Sequence, residues 1–192
     1  MTHLIIGLGN PPEYDNTRHN AGQILVSRFI EGLKELARPI SAPGFAGEAF
    51  RAAMQEEDVI LAPRLGTYMN NSGPAMQTIM NFFKIPLESL VVVHDDVALP
   101  LGQLRLSHDA SAAGHNGVKS IISVFGTQEF TRLRLGIESR QGLRVLPTDN
   151  FVLEKFADSE KDLVDAMMQR GSEALSMLIT DGLEKAMAKF NE

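Results

Sequence analysis

The chain has 192 residues, a net charge of −6 and no cysteine. This length suits one domain with a single core, and without cysteine a disulfide scaffold, thiol catalysis and cysteine-bound metal centres are excluded. No apolar run approaches the ~18 residues of a membrane span and the first residues lack a signal-peptide pattern, so we expect a cytoplasmic protein.

The hydrophobic pattern predicts strands and helices that alternate along the chain. Short apolar runs indicate strands over 3–8, 46–54, 59–63, 90–93, 104–106 and 132–137. Helical spacing indicates helices that begin near 21, 72 and 118 and two amphipathic helices over 158–170 and 172–190, whereas residues 151–156 are ambiguous. The first helix carries Leu25, Phe29, Leu33 and Leu36 on its apolar face. This order predicts a single α/β domain over residues 1–192, with a twisted mixed sheet and helices on both faces.

The polar loop after the first strand is the first candidate for chemistry. It contains Asn10, Tyr14, Arg18 and His19 and lies between a strand end and a helix start, where open α/β sheets bind ligands. The alternative is a loop whose polar side chains only satisfy backbone groups and cap the next helix. Gly7-x-Gly9 suggests a dinucleotide loop, but the third glycine is missing, so we reject that interpretation.

Three further polar clusters follow predicted strands or begin helices. His94-Asp95-Asp96 ends the most apolar strand, and a carboxylate there could orient an imidazole, bind a hard cation or cap a turn. Gly114-His115-Asn116-Gly117 could let a ligand backbone approach, or could simply form a glycine turn with an asparagine cap. In Tyr68-Met69-Asn70, the asparagine could bind a peptide or cap a helix.

Taken together, these clusters resemble the bacterial-type peptidyl-tRNA hydrolases in order and spacing. The resemblance runs from Gly7 to about Phe156 and rests on four motifs: Tyr14-x-x-Thr17-Arg18-His19-Asn20-x-Gly22, Tyr68-Met69-Asn70-x-Ser72-Gly73, His94-Asp95 and Gly114-His115-Asn116-Gly117-Val118-Lys119. It implies hydrolysis of the ester that joins a peptide to the 3′ ribose of tRNA, by a single α/β domain that needs no metal or cofactor. It also implies a tRNA-binding enzyme of translation, and we expect a monomer.

The resemblance also implies a role for each matching residue. His19 would be the catalytic base, Asp95 its orienting partner, and Asn10 would place the water or the scissile carbonyl. Asn70 and Asn116 would bind the peptide main chain in a groove lined by Tyr68, Met69 and His115, and Tyr14 would contact the 3′ end of the tRNA. An ester is reactive enough for a water activated by histidine, and general-base catalysis alone supplies roughly 10²–10⁴ in rate.

The implied tRNA phosphate site departs from the family pattern. The family uses two basic residues; Arg134 matches one, but the other falls at Ser107, so we expect help from Arg105 or Lys119. Residues 100–144 hold six basic and three acidic side chains, which permits a small anionic footprint despite the overall acidity. The segment 107–113 lacks the family's glycines, so we expect a stiffer flap. Pro12 also replaces the usual glycine in a loop that is one residue short.

Two other functions compete with this interpretation. A non-catalytic RNA-binding relative would share the fold, but it would not require His19, Asp95 and Asn10 together. A metal-dependent hydrolase could use Asp95, Asp96 and nearby histidines, but no His-Glu-x-x-His or comparable ligand spacing occurs. Turnover of a peptidyl-tRNA with and without a chelator separates the three.

Overall fold

Strand β1 (Thr2–Gly7) lies near the centre of a mixed sheet in the computed structural model, which describes residues 2–140 and 147–191. The other strands of the sheet in these ranges are β2 (Ala37–Ile40), β3 (Glu48–Met54), β4 (Glu57–Arg64), β5 (Leu90–Pro100), β6 (Leu104–Ser107) and β7 (Thr131–Glu138). Their order is β2-β3-β4-β1-β5-β7-β6. The inner strands β4, β1, β5 and β7 are parallel, and antiparallel strands flank them on both edges.

Helices cover both faces of this sheet, as the alternation of elements predicts. They are α1 (Ala21–Leu33), α2 (Ser72–Phe83), α3 (Asn116–Phe125), α4 (Thr148–Phe151), α5 (Lys161–Asp181) and α6 (Leu183–Phe190). Alternate residues of β1 enter two separate cores: Ile5 packs with α1, α5 and α6, whereas Leu4 and Ile6 pack with α2 and α3. The mixed α/β sheet of the sequence prediction is confirmed. No helix of the described ranges has the length and apolar character to cross a membrane.

Four predictions about the helices and strands were wrong. Helix α1 stops at Leu33 because Lys34 adopts a φ of 50°, which leaves Leu36 exposed. The edge strand β2 was missed, since four residues that include Pro39 give little alternation. Strand β5 runs on to Pro100, because β7 continues to pair with it. Helix α5 passes through Gly171 without a break, and the chain turns at Gly182 instead.

Candidate active site

The crossover connections place one crevice between β1 and β5. The chain leaves β1 through α1 toward β4, and leaves β5 through α3 toward β7, so the two connections diverge on opposite faces. Ligands of open α/β sheets bind at such a divergence, at the carboxyl ends of the strands. Residues 8–20 follow β1 there. Strand β5 extends past Gly7, the last residue of β1, which pairs with Val93.

Glycines allow the start of α1 to lie directly on these strands. A Cβ atom on Gly22 would lie 2.1 Å from the carbonyl oxygen of Val93, and one on Gly7 would lie 2.6 Å from the carbonyl oxygen of Gly22. Nothing larger than glycine fits at either position without a shift of the backbone. The glycines therefore bring the turn before α1, which carries His19, against the end of β5.

His19 and Asp95 are in direct contact although 76 positions separate them. The Nδ1 atom of His19 lies 2.9 and 3.1 Å from the two carboxylate oxygens of Asp95. Sequence reasoning predicted this contact but placed Asp95 after the strand, which was wrong: it lies within β5, where only β7 still pairs alongside. Because the carboxylate accepts from Nδ1–H, the other nitrogen of His19, Nε2, has a free lone pair in the cavity that His19 lines.

His115 is a second partner of the same carboxylate. Its Nε2 lies 2.9 Å from Oδ1 of Asp95, and the backbone N–H of Val118 donates to its Nδ1 at 3.3 Å. With Nδ1 as the acceptor, Nε2 is the nitrogen that donates to Asp95. His115 also caps α3, a role that the sequence offered as an alternative for Asn116.

Burial and charge have opposite effects on the pKa values of His19 and Asp95. Burial lowers the pKa of His19, but the Asp95 carboxylate more than compensates, with a smaller contribution from Asp149, so the pKa is raised above its ordinary value. Burial alone would raise the pKa of Asp95, yet His19 and His115 together hold it well below its usual range. Asp95 is therefore ionised and favours an imidazolium at His19.

His94 packs beneath this pair, and sequence reasoning gave it no role. It is buried and its Nδ1–H donates to the backbone oxygen of Asp95 at 2.7 Å. Its ring contacts that of His115 edge-on, with the centroids 4.7 Å apart. Burial, helped by His115, lowers the pKa of His94 well below the ordinary value, so this ring is neutral and acts as a fixed part of the cavity floor.

Asn10 is oriented by the backbone around it. Its N–H donates to Oδ1 of Asn20 at 2.8 Å, and Nδ2 of Asn20 donates back to its carbonyl oxygen at 3.2 Å. The side-chain Oδ1 of Asn10 accepts from the N–H of Met69 at 2.9 Å. With that oxygen engaged, Asn10 offers its NH₂ group, a donor, to the cavity.

A cavity of about 850 Å³ joins these residues to nearly all the other predicted ones. Its wall includes His19, Asp95 and Asn10 together with Tyr14, Tyr68, Met69, Asn70, His115, Asn116 and Lys119. Tyr14 and Tyr68 meet edge-on at its rim, with their ring centroids 6.5 Å apart. Sequence reasoning missed one wall, formed by Thr148, Asp149, Val152 and Leu153. That wall is bound to the turn Arg18–Asn20, here called the histidine turn, because His19 N–H donates to the carbonyl oxygen of Val152 at 2.8 Å.

The predicted phosphate residues fall into two places. Arg134 does not line the cavity; its guanidinium binds the buried Asp96 carboxylate through Nε at 2.6 Å. Arg105 stands directly opposite Arg134 in the β6–β7 pairing and is exposed, whereas Lys119 lies on the cavity wall. Like charges directly opposite each other destabilise a sheet, and here the Asp96 carboxylate neutralises Arg134. We call the two cross-strand partners Arg105 and Arg134 the arginine patch. Residues 141–146 of the basic zone lie outside the described residues.

Two residues of the flap between β6 and α3 adopt left-handed backbone, although neither is a glycine. Asp109 has a φ of 51° and Ala113 a φ of 46°. The buried Arg132 holds the flap, because its NH1 donates to the carbonyl oxygen of Ser111 at 2.8 Å. Burial lowers the pKa of Arg132 to about 10.

Asp95 and the two histidines that contact it carry nitrogen and oxygen atoms of the kind that bind metals. In the part of the chain that the structure describes, the nitrogen and oxygen atoms of His19, Asp95 and His115 all lie within 4.8 Å of one another. A metal ligand needs a lone pair on the bound nitrogen, but the Val118 contact fixes a proton on the facing nitrogen of His115. The arrangement is therefore a hydrogen-bond network around one carboxylate.

Known proteins are similar to this chain in sequence and in fold. Residues 4–192 match the family described as peptidyl-tRNA hydrolase. The chain is similar to the peptidyl-tRNA hydrolase of Bdellovibrio bacteriovorus, with 39% identity over 98% of both chains. It is also similar to that of Synechocystis sp., with 42% identity over 98% of this chain and 95% of the other. A crystal structure of peptidyl-tRNA hydrolase from Acinetobacter baumannii superposes with a TM-score of 0.86 and 31% identity, covering 99% of this chain and 94% of that one.

Proposed function

The chain belongs to the peptidyl-tRNA hydrolase family, and we propose that it hydrolyses the ester of peptidyl-tRNA with a water molecule that His19 activates. The products are free tRNA and the released peptide. The observation that carries this proposal is the contact of His19 Nδ1 with Asp95, because it leaves Nε2 as a base in a cavity large enough for the end of the substrate.

The reaction follows from the donors and acceptors around His19. Nε2 takes a proton from water while the water oxygen attacks the ester carbonyl carbon, and Asp95 stabilises the imidazolium that forms. The NH₂ group of Asn10 donates to the carbonyl oxygen as negative charge develops on it. The tetrahedral intermediate then collapses: the bond to the ribose O3′ breaks, and the imidazolium returns its proton to that oxygen.

The rim of the cavity supplies the substrate contacts. We assign the peptide main chain to Asn70 and Asn116, which are both exposed and both line the cavity. Tyr68, Met69 and His115 line the same groove, and Tyr14 contacts the 3′ end of the tRNA. His115 has a second task that the family resemblance did not supply, because it also donates to Asp95.

The tRNA phosphate belongs at the arginine patch. Arg105 lies opposite Arg134 and supplies the second cation that is missing at Ser107. Lys119 lies on the cavity wall, so we place it nearer the 3′ end than the phosphate held by the patch. We further propose that residues 1–192 act as one catalytic domain, in a monomeric cytoplasmic enzyme; light scattering on the purified protein measures the oligomeric state.

Turnover of an N-acetylated aminoacyl-tRNA tests the proposal. The wild-type chain should release many equivalents of tRNA per enzyme, equally with and without a chelator. His19→Ala should lose the general-base contribution of roughly 10²–10⁴ in rate while it keeps tRNA binding. Stoichiometric binding without turnover by the wild-type chain would favour the non-catalytic RNA-binding alternative, and loss of turnover with the chelator would favour a metal enzyme.

A further inference from the structure

Asp149 is an acidic side chain that the mechanism above does not use. It belongs to the short helix α4 and lines the cavity, on the wall that sequence reasoning missed. The wall is held against the histidine turn by two backbone bonds: His19 N–H to Val152 O at 2.8 Å and Arg18 N–H to Glu154 O at 2.9 Å. These bonds hold the wall that carries Asp149 against the turn that carries His19.

The charge of Asp149 differs from that of the other cavity carboxylates because none of the described residues pairs with it. Asp95 accepts from two histidines, and Asp96 binds the guanidinium of Arg134 and the N–H of Ala98. Over residues 2–140 and 147–191, Asp149 has neither a hydrogen bond nor an ion pair through its side chain. An unpaired carboxylate on a cavity wall acts on whatever positive charge forms in that cavity.

We propose that Asp149 is a positioning residue for the reaction, because its carboxylate stabilises the imidazolium that forms when His19 takes a proton from water. This inference rests on the proposed role of His19. Asp149 supplements Asp95, because the single charge of Asp95 is shared by His19 and His115. The two carboxylates approach His19 from different elements, Asp95 from β5 and Asp149 from α4.

The electrostatics of His19 agree with this geometry. Burial lowers its pKa, whereas Asp95 and then Asp149 raise it. Other titratable groups also face the cavity, and they are His94, Asp95 and Asp96 on β5, His115 and Lys119 on α3 and its cap, and Tyr14 and Tyr68 at the rim. Of these, His94 is neutral and Asp96 is paired with Arg134, so Asp149 is the carboxylate whose removal changes the local charge without breaking a contact.

The test compares Asp149→Asn with wild type by single-turnover hydrolysis between about pH 5 and pH 9. Above the pKa of His19, the variant should be roughly two- to fivefold slower, the range of exposed charge couplings. At low pH this difference in rate should vanish or reverse. The lower pKa of His19 in the variant makes it a weaker base, but it also leaves a larger fraction of His19 unprotonated. Asp162→Asn, the same change at an exposed position outside the cavity wall, should leave the profile unchanged.

A second readout does not depend on activity. The NMR titration of the His19 ring should have a lower midpoint in Asp149→Asn, and Asp149→Glu should restore both the midpoint and the rate. An unchanged midpoint, or a rate lowered equally at every pH, would overturn the inference while leaving the proposed function intact. Failure of the proposed function itself would appear differently, as near-normal turnover in His19→Ala.

Discussion

Replacing Asp95 by asparagine isolates the charge at the centre of the site. The carboxylate accepts hydrogen bonds from His19 Nδ1 at 2.9 Å and from His115 Nε2 at 2.9 Å, both at the same oxygen. Asparagine keeps the size of the side chain but offers one oxygen and an NH₂ donor. If that NH₂ group faces His19, it forces the proton onto Nε2 and removes the base.

The size of the effect follows from the burial of the pair. Removing one partner of a buried ion pair costs about 3–5 kcal/mol, and each 1.36 kcal/mol is a factor of ten in rate. If the whole of this energy acts on the imidazolium in the transition state, kcat should fall by roughly 10²–10⁴. KM should change little, because Asp95 is only 2% exposed and its carboxylate is engaged by His19 and His115.

The pH dependence gives the reaction a second signature. Since Asp95 raises the pKa of His19, the rate of wild-type hydrolysis should rise with pH through a value above the ordinary histidine pKa, and in Asp95→Asn this rise should move to lower pH. Single-turnover hydrolysis of N-acetylated aminoacyl-tRNA measures both effects. The exposed pair Arg28–Asp165 provides a control, since Asp165→Asn should leave the profile unchanged. A kcat within threefold of wild type in Asp95→Asn would refute this account of the site.

Three further substitutions test the surroundings of the site. Arg134→Ala should raise KM more than it lowers kcat and should reduce the slope of log affinity against log salt by roughly 0.7–0.9; Asp96→Asn controls for the carboxylate left unpaired, and an unchanged slope would leave the phosphate unassigned. Ala113→Gly should stabilise the protein by about 0.5–1 kcal/mol in urea denaturation, because a φ of 46° strains alanine but not glycine. A loss of stability in this variant would show that the backbone at Ala113 is not strained. Gly22→Ala should destabilise it by about 1–3 kcal/mol, since the added Cβ meets Val93 O; an unchanged midpoint would show that the helix can shift freely.

The contact of His19 with Asp95 could be predicted because both motifs follow apolar runs, which form the neighbouring parallel strands β1 and β5. Parallel strands bring their carboxyl ends to one edge of the sheet, so two polar motifs after such strands meet there regardless of their separation along the chain. The same logic did not fix the end of β5. Whether a strand continues depends on its neighbour, and the pairing of Asp95 with Leu135 on β7 is not visible in either segment alone.

The missed features depend on long-range packing. Gly171 looked like the end of a helix, but a Cβ there would lie 2.7 Å from the side chain of Leu25, so the glycine serves the contact between α5 and α1. The cavity wall at Thr148–Leu153 carries no motif, and its place is set by backbone bonds to Arg18 and His19. Arg105 could be named as a candidate, yet its place opposite Arg134 required the strand register.

The isolated β-bridge between Thr17 and Lys155 affects the order in which the parts of the active site form during translation. The base, His19, and its neighbour Arg18 are synthesised before the wall that their backbones bind, because Val152 and Glu154 come about 135 residues later. The side chain of Arg18 gains its partner still later, when Glu160 is synthesised: Nη2 of Arg18 donates to Oε2 of Glu160 at 2.7 Å. During its own synthesis the chain is itself a peptidyl-tRNA, and its cavity lacks this wall until residues 148–153 have been translated. Until then the growing enzyme lacks a finished site while its own ester holds it to tRNA.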